Sequence, residues 1–131
     1  MDIEVTRGVL DALCEMSGAA HPHEACGILL GEGAQITAAI PTRNVHPDPE
    51  THFEIDPQAL IDAHRMEREG GPAIMGYYHS HPNGDARPSA TDRAMAAGDG
   101  KLWAIVAGST VTLWRDERDA FAALSYRVID R

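Results

Sequence analysis

Cysteine, positive charge and long apolar runs are all scarce in this chain of 131 residues. Its two cysteines, Cys14 and Cys26, form no C-x-x-C pair, which excludes a disulfide framework and a cysteine-rich zinc site. No apolar stretch approaches the roughly 20 residues of a membrane-spanning helix, and Met1-Asp2-Ile3-Glu4 lacks the basic start of a signal peptide. These absences predict a cytoplasmic protein without a membrane partner, in which both cysteines lie in the core.

Acidic residues outnumber basic ones, with 20 Asp and Glu against 11 Lys and Arg, so that the formal net charge is −9. This charge disfavours nucleic acid as a partner, because nucleic acid is bound through Lys and Arg. The composition is that of a globular protein, with 44% apolar and 24% charged residues. The length predicts a single domain over residues 1–131, with one core that needs no disulfides.

Two histidines follow the apolar run Ala73–Tyr78, which is short enough to be a buried strand. Alternate side chains of a strand point to the same face, so His79 and His81 are expected to project together. Pro82 has no N–H to continue the ladder, which leaves the pair at the end of the strand. With the later carboxylate of Asp92, the two imidazoles form a possible three-ligand zinc site.

Each part of this pattern also has a simpler explanation. A lone H-x-H pair at a strand end is more often a pair of partly exposed polar residues. Ser89 and Asp92 have the spacing of a capping box, and for this pair alone capping is the better explanation. Both explanations stay open, because a capped helix N-terminus can still present either side chain to a metal. Glu24 alone would be a solvated residue at a strand end, and its neighbour His23 does not begin an H-E-x-x-H helix, since residue 27 is glycine.

The two halves of the pattern together resemble a known family. One half is His79-Ser80-His81-Pro82, followed after six residues by Ser89 and after two more by Asp92. The other half lies upstream, in Pro22-His23-Glu24-Ala25-Cys26-Gly27-Ile28-Leu29-Leu30-Gly31. Both halves are similar, in the right order, to the signature of the JAMM zinc metalloproteases, also called MPN+ domains, and in particular to their compact prokaryotic members.

The resemblance implies a role for each motif residue. It implies that His79, His81 and Asp92 bind Zn²⁺, that Ser89 helps to stabilise the tetrahedral oxyanion, and that Glu24 is the general acid/base. The implied reaction is hydrolysis of an amide bond at the C-terminus of a ubiquitin-like sulfur-carrier protein, for example with release of cysteine. The implied fold is a curved, cytidine-deaminase-like mixed β-sheet flanked by helices, in the α/β class.

Two other functions are compatible with the same residues. Relatives of this fold that lack the metal ligands act as non-catalytic interaction modules, although this chain has every motif residue. A zinc amidohydrolase acting on a small molecule is the second alternative. Deamination is disfavoured, because zinc deaminases use a P-C-x-x-C motif that is absent here.

The patterning along the rest of the chain predicts alternating helices and strands. Helical spacing of apolar residues predicts a helix from Thr6 to about Ala19, and a second from Gln58 to Glu69 that buries Leu60, Ile61 and Met66. The segment Asn44–Glu50 is expected to be a loop. His46 and His52 are expected to lie at the surface, with contact to the metal pocket or the substrate as the alternative. The remaining predicted elements are strands 25–31, 35–40, 52–55, 73–78, 102–107 and 110–115, a helix over 92–97, and a last segment 121–129 that is a strand or a helix-to-strand segment.

Overall fold

The computed structural model describes residues 2–130 and consists of eight strands and three helices. In chain order these are β1 (Ile3–Thr6), α1 (Arg7–Ala20), β2 (Cys26–Glu32), β3 (Gln35–Thr42), α2 (Pro57–Arg68), β4 (Ala73–Ser80), α3 (Ala90–Met95), β5 (Leu102–Ala107), β6 (Thr110–Asp116), β7 (Phe121–Leu124) and β8 (Tyr126–Ile129). The predicted α/β class is confirmed. Over residues 2–130, no helix has both the length and the apolar character needed to cross a bilayer.

All eight strands form one mixed sheet in the order β7-β6-β5-β4-β2-β3-β1-β8. Its two edge strands, β7 and β8, are consecutive in the chain and are separated only by Ser125. A single residue cannot span a flat eight-stranded sheet, whose strands are about 4.8 Å apart. The sheet is therefore strongly curved, and its two edges meet at Ser125. The Tyr126 hydroxyl helps to hold this closure, because it donates a hydrogen bond to the carbonyl oxygen of Val111 at 2.6 Å.

The two faces of the sheet carry separate apolar clusters. Helix α1 covers one face with Val9 and Leu13, whose side chains are buried against Leu29 and Val106 of the sheet. The α1 helix begins as predicted, since the Thr6 hydroxyl accepts a hydrogen bond from the N–H of Val9. The other face buries a cluster composed of Cys26, Ile28, Leu30, Phe53, Ile55, Ile74 and Trp103. Helix α2 packs on this second cluster.

Five details of the predicted elements need correction or completion. The segment 52–55 is not a strand, because only one isolated bridge, between Asn44 and Ile55, joins it to the chain around residue 44. In α2, Ile61 and Met66 are 50% and 53% exposed, so the prediction that they are buried was wrong. The short helix α3 begins two residues earlier than predicted, at Ala90. The last segment forms two strands, and β1 was not predicted.

The register of β4 against β2 depends on a close approach at Gly27. Strand β2 pairs antiparallel with β4, with Cys26 opposite His79 and Gly27 opposite Tyr78. A Cβ atom at position 27 would overlap the Tyr78 ring and the carbonyl oxygen of Ile40. Only glycine fits here, and it allows the Tyr78 ring to lie across β2. This pairing aligns the end of β4 with the segment that precedes β2.

Candidate metal centre and catalytic cleft

His79 and His81 lie at the end of β4 with their side chains on the same face, as the alternation of the strand predicts. Their Nε2 atoms are 3.0 Å apart, and both residues are buried. The main chain is fixed on both sides of the pair. The N–H of Ser80 donates to the carbonyl oxygen of Ala25 at 3.0 Å, and the N–H of His81 donates to that of Val106 at 2.8 Å. The main chain that carries the two imidazoles is therefore held by the residue before β2 and by β5.

Asp92 joins this pair from the first turn of α3. Its Oδ1 lies 3.0 Å from Nε2 of His79, and its Oδ2 lies 3.0 Å from Nε2 of His81. Asp92 also forms a capping box with Ser89: the N–H of Asp92 donates to Ser89 Oγ at 3.0 Å, and the N–H of Ser89 donates to Asp92 Oδ2 at 2.9 Å. Capping and convergence on the histidines thus occur together, and the cap orients the carboxylate toward them.

Hydrogen bonding assigns the proton positions of His81. Its Nδ1 is 2.6 Å from the carbonyl oxygen of Asp85. A carbonyl only accepts, so Nδ1 carries a proton; Nε2 carries a second proton when it donates to Asp92 and presents a lone pair when the ring is neutral. The ring of His79 stacks on Phe53, with centroids 4.3 Å apart, and meets the edge of Trp103. Apolar neighbours therefore surround His79, and its buried Nδ1 has no hydrogen-bond partner within residues 2–130.

Burial and charge shift the pKa values of these groups in different directions. Burial lowers the pKa of His79, and the carboxylate of Asp92 opposes this effect only in part. Burial also acts on His81, but its bonds to Asp92 and to the Asp85 carbonyl raise its pKa above the usual value. The pKa of Asp92 is held well below its usual range, because its hydrogen bonds with the two histidines outweigh the cost of burial. The carboxylate is consequently ionised at neutral pH.

The three side chains fit a zinc ion by their geometry and by their donor chemistry. The two nitrogens and the carboxylate oxygens are about 3 Å apart in each pair. This is close to the separation of about 3.4 Å between ligand atoms around a tetrahedral Zn²⁺ with bonds of about 2.1 Å. Two imidazoles and one carboxylate form a ligand set of the kind that catalytic zinc sites use, and they leave a fourth position open. His79, His81 and Asp92 therefore form a buried group able to bind a metal.

The register of β2 against β4 places Glu24 beside this site. Because Cys26 pairs with His79 in an antiparallel ladder, the residue two positions before Cys26 lies level with His81. Glu24 is only 6% exposed. Burial raises the pKa of its carboxyl group to about 7, with His81 lowering it and Asp92 adding to the rise. A carboxyl group with this pKa can accept and return a proton near neutral pH.

Glu24, His81 and Ser89 open into one cleft of about 170 Å³. Its remaining lining residues are Glu50, Thr51, Pro82, Asn83 and Thr91. Glu50 and Thr51 come from the loop after β3, while Pro82 and Asn83 come from the loop after His81. The cleft therefore contains residues of both loops.

Asn44 is a site-supporting residue that the sequence analysis did not identify. Its side-chain amide donates to the carbonyl oxygens of Glu24, at 3.1 Å, and of His52, at 2.9 Å. Its Oδ1 accepts hydrogen bonds from the N–H groups of His46 and Glu54, both at 3.1 Å. An asparagine before a proline-containing loop is typical of turns, but no local signal predicts bonds to a residue 20 positions earlier.

His46 and His52 lie on the loop after β3 and stack on each other. Their ring centroids are 4.5 Å apart and their planes differ by 9°. With Asp48 they form a second histidine and aspartate group. The lone pairs of imidazole nitrogens lie in the ring planes, and those of parallel rings do not converge on one point. In this arrangement the two rings are not oriented to bind the same ion.

Fold and site together define a mixed α/β domain with a buried His-His-Asp group at the end of its central strand and a buried glutamate in the same cleft. A family model for prokaryotic homologues of the JAB domain matches residues 6–118. The chain therefore belongs to this family of JAB domains, in agreement with the resemblance to JAMM proteins.

Three relatives show the range of proteins that this chain is similar to. It is 38% identical to a desampylase of Haloferax volcanii over 64% of this chain and 62% of the relative. It is 36% identical to a probable TtuB-protein conjugate cleaving protease of Thermus thermophilus, over 67% of this chain and 59% of the relative. It is 32% identical to the CysO-cysteine peptidase of Mycobacterium tuberculosis, over 84% and 71%. For the first two, the match spans only about three fifths of the relative's length.

Solved structures share the whole fold. A protein from Desulfitobacterium hafniense superposes with a TM-score of 0.82 at 26% identity, covering 98% of this chain and 92% of that chain. A JAMM protein described as a metalloprotease-like zinc site in the proteasome and signalosome has a TM-score of 0.64, at 20% identity, and covers 98% of this chain and 99% of that chain. At that identity the second likeness supports the fold alone.

Proposed function

We propose that this protein is a zinc peptidase that hydrolyses the amide bond at the C-terminus of a ubiquitin-like sulfur-carrier protein. The observation that carries the proposal is the position of Glu24, whose buried carboxyl group opens into the same cleft as His81 and Ser89. Amide hydrolysis needs a group that moves a proton, a donor for the oxyanion and a site for a Lewis acid, and the cleft brings these three together.

His79, His81 and Asp92 would hold the zinc ion. When bound, zinc supplies a Lewis acid that polarises the carbonyl group and lowers the pKa of water. The Asp85 carbonyl keeps the proton of His81 on Nδ1, which leaves Nε2 free as a ligand. The capping box with Ser89 keeps the carboxylate of Asp92 directed toward both imidazoles.

Glu24 and Ser89 would carry out the proton transfer and the stabilisation of charge. The carboxylate of Glu24 accepts a proton from the attacking water and returns it to the nitrogen of the leaving amine. Ser89 Oγ uses a lone pair to accept the N–H of Asp92, so its own O–H is free to donate to the oxyanion of the tetrahedral intermediate. One such donor is worth roughly 3 kcal/mol in other hydrolases.

The relatives support the kind of substrate. One is named for cleaving TtuB-protein conjugates and another for acting on CysO-cysteine. Both names describe a group attached to a protein, in agreement with the carrier adduct that the JAMM resemblance implies. We further propose that residues 1–131 act as a single domain and that the protein works in the cytoplasm.

The test replaces Glu24 with Gln and measures zinc content and turnover on the same preparations. The two probes are a TtuB-protein conjugate and CysO-cysteine, with products followed by mass spectrometry. The wild-type protein is expected to bind about one zinc per chain and to cleave at least one probe, while Glu24→Gln retains zinc and loses at least roughly 100-fold in turnover. His64→Ala, on the exposed face of α2, is the control.

Three outcomes would contradict the proposal. If Glu24→Gln cleaves the probes at the wild-type rate, Glu24 does not transfer the proton. If the wild-type protein binds no zinc in excess metal and cleaves neither probe, the chain is a non-catalytic module. Turnover of short amides at a rate equal to that of the carrier adducts would instead indicate a small-molecule amidohydrolase.

A further inference from the structure

The proton on Nδ1 of His81 depends on a loop that is mostly exposed. Its acceptor is the carbonyl oxygen of Asp85, at 2.6 Å, in the loop of residues 83–87 that follows the histidine pair. Four of these five residues are exposed, namely Asn83, Gly84, Asp85 and Arg87. An exposed carbonyl fixes the orientation of a histidine ring only if the loop that carries it is itself held in place.

Bonds within this loop give it a shape but do not attach it to the sheet. The N–H of Asp85 donates to Oδ1 of Asn83 at 2.9 Å, and the carboxylate of Asp85 accepts the N–H of Arg87 at 3.0 Å. The Arg87 guanidinium also bonds to this carboxylate, with its Nε 3.1 Å from Oδ1. Ion pairs on an exposed surface contribute little to stability. The loop can therefore move as a unit relative to His81 unless a bond from outside restrains it.

Thr112 of β6 supplies this outside bond. Its hydroxyl donates to the carbonyl oxygen of Ala86 at 2.6 Å. The same hydroxyl accepts the indole N–H of Trp114 at 2.9 Å. An indole N–H only donates, so the hydroxyl uses a lone pair for Trp114 and directs its single proton to the Ala86 carbonyl. Among the hydrogen bonds of residues 2–130, this is the one that joins residues 83–87 to a residue other than His81.

The register of the sheet places Thr112 on the same face as His79. Ile105 of β5 pairs with His79 of β4 on one side and with Thr112 of β6 on the other. Side chains of paired residues in neighbouring strands point to the same face. Thr112 is therefore two strands from His79, or roughly 10 Å. The carbonyls of Asp85 and Ala86 belong to consecutive planar peptide units, so a bond that fixes one of them restricts the other.

We propose that Thr112, oriented by Trp114, is a positioning residue for the metal centre. Its bond to Ala86 holds the Asp85 carbonyl against His81. The proton kept on Nδ1 leaves Nε2 as the atom that a neutral ring offers to a metal. Thr112 does not line the cleft, so it acts through the loop and not on the substrate. Its expected effect on zinc affinity rests on the proposed function, whereas its effect on His81 in protein stripped of metal does not.

The test compares Thr112→Val, which keeps the shape of threonine without its hydroxyl, with Thr112→Ser, which keeps the hydroxyl. Competition with a chelator is expected to show zinc affinity roughly 10- to 100-fold weaker in Thr112→Val and close to that of wild type in Thr112→Ser. In metal-free protein labelled with ¹⁵N, NMR follows the exchange of the His81 Nδ1–H proton with solvent. This exchange should be about fivefold faster in Thr112→Val, as expected from the loss of one hydrogen bond.

Two further variants of β6 complete the comparison. Trp114→Phe removes the donor to the Thr112 hydroxyl, which can then turn to the carbonyl oxygen of Ile105 at 3.5 Å, and it should give an intermediate effect. Thr110→Val makes the same change as Thr112→Val at an exposed position of the same strand, and it should match wild type in both measurements.

A failure of this inference can be told from a failure of the proposed function. If Thr112→Val loses stability in urea while its zinc affinity and Nδ1–H exchange match those of wild type, Thr112 supports only the fold and the inference is overturned. If Thr112→Ser is as impaired as Thr112→Val, the hydroxyl is not the cause, which also overturns it. If the wild-type protein binds no zinc and cleaves neither probe, the proposed function fails, and Nδ1–H exchange in the metal-free variants still decides whether Thr112 holds the loop against His81.

Discussion

The side-chain amide of Asn44 donates a hydrogen bond to the main-chain carbonyl oxygen of Glu24, with 3.1 Å between the two atoms. In the same region, the N–H of Glu24 donates to the carbonyl oxygen of Pro49 at 2.7 Å. The loop after β3 is therefore bound to both main-chain polar groups of Glu24. These two bonds fix the backbone from which the Glu24 carboxyl group enters the cleft.

Replacing Asn44 should loosen the attachment of this loop to Glu24. Asn44→Ala removes five hydrogen bonds at once and is expected to lower the free energy of unfolding by roughly 3 kcal/mol. Asn44→Asp should cost more, because a carboxylate would face the carbonyl oxygens of Glu24 and His52. Urea unfolding measures both, with His64→Ala as an exposed control. An Asn44→Asp variant as stable as wild type would contradict the assigned bonds.

Substitutions of Ser89 and Asp92 should separate the effect of helix capping from that of metal binding. Ser89→Ala loses the cap and is expected to reduce stability by about 1 kcal/mol while zinc remains bound. Asp92→Ala removes a proposed ligand and is expected to lose zinc. Ser89→Thr keeps a hydroxyl that can cap, so its stability should stay near that of wild type. Atomic emission measures the zinc content of each variant, and urea unfolding measures its stability. Retained zinc in Asp92→Ala would exclude Asp92 as a ligand.

The buried carboxyl group of Glu24 predicts how stability depends on pH in protein stripped of metal. Its pKa is raised from 4.5 to about 7 in the folded state. Between these values the folded protein binds more protons than the unfolded chain, so this group makes stability fall as pH rises from 4.5 to 7. The loss is on the order of 3 kcal/mol and is complete above pH 7. Glu24→Gln should remove this dependence, so the variant should exceed wild type in stability at pH 8 and differ less at pH 5.

Asp116 should affect the metal site from a distance. This buried residue of β6 accepts hydrogen bonds at Oδ2 from the N–H groups of Ala97 and Gly98, each at 3.1 Å, just after α3. A helix of six residues is marginal by itself, so its ends determine its position. Asp116→Ala should cost roughly 2 kcal/mol and weaken metal binding at Asp92.

The visible absorption of bound Co²⁺ reports the ligand geometry in the Asp116 variants. The spectrum should change in Asp116→Ala and return toward that of wild type in Asp116→Asn, which keeps an acceptor oxygen. If Asp116→Ala loses stability but leaves the cobalt spectrum and affinity unchanged, Asp116 supports the fold without positioning Asp92.

Local sequence patterns predicted those elements well whose side chains lie mostly in an apolar environment. The runs that became β2 and β5 are short and nearly all buried, so their hydrophobicity alone predicted strands. Helix α2 shows the limit of the same argument. Its buried side is formed by Ala59, Leu60 and Ala63, and the larger Ile61 and Met66 face away from the sheet. Hydrophobicity predicted that these two would be buried, but the rotation of the helix about its own axis relative to the sheet leaves them exposed.

The sequence by itself determined the parts of the site that lie close together in the chain. The alternation of a strand puts His79 and His81 on one face, and the i, i+3 spacing at a helix start joins Ser89 to Asp92. Tertiary structure decided the rest, because it depends on the register of β2 against β4. That register sets Cys26 opposite His79 and so brings Glu24 level with His81. A shift of one residue would turn Glu24 to the other face of the sheet, and nothing local to Glu24 encodes which register forms.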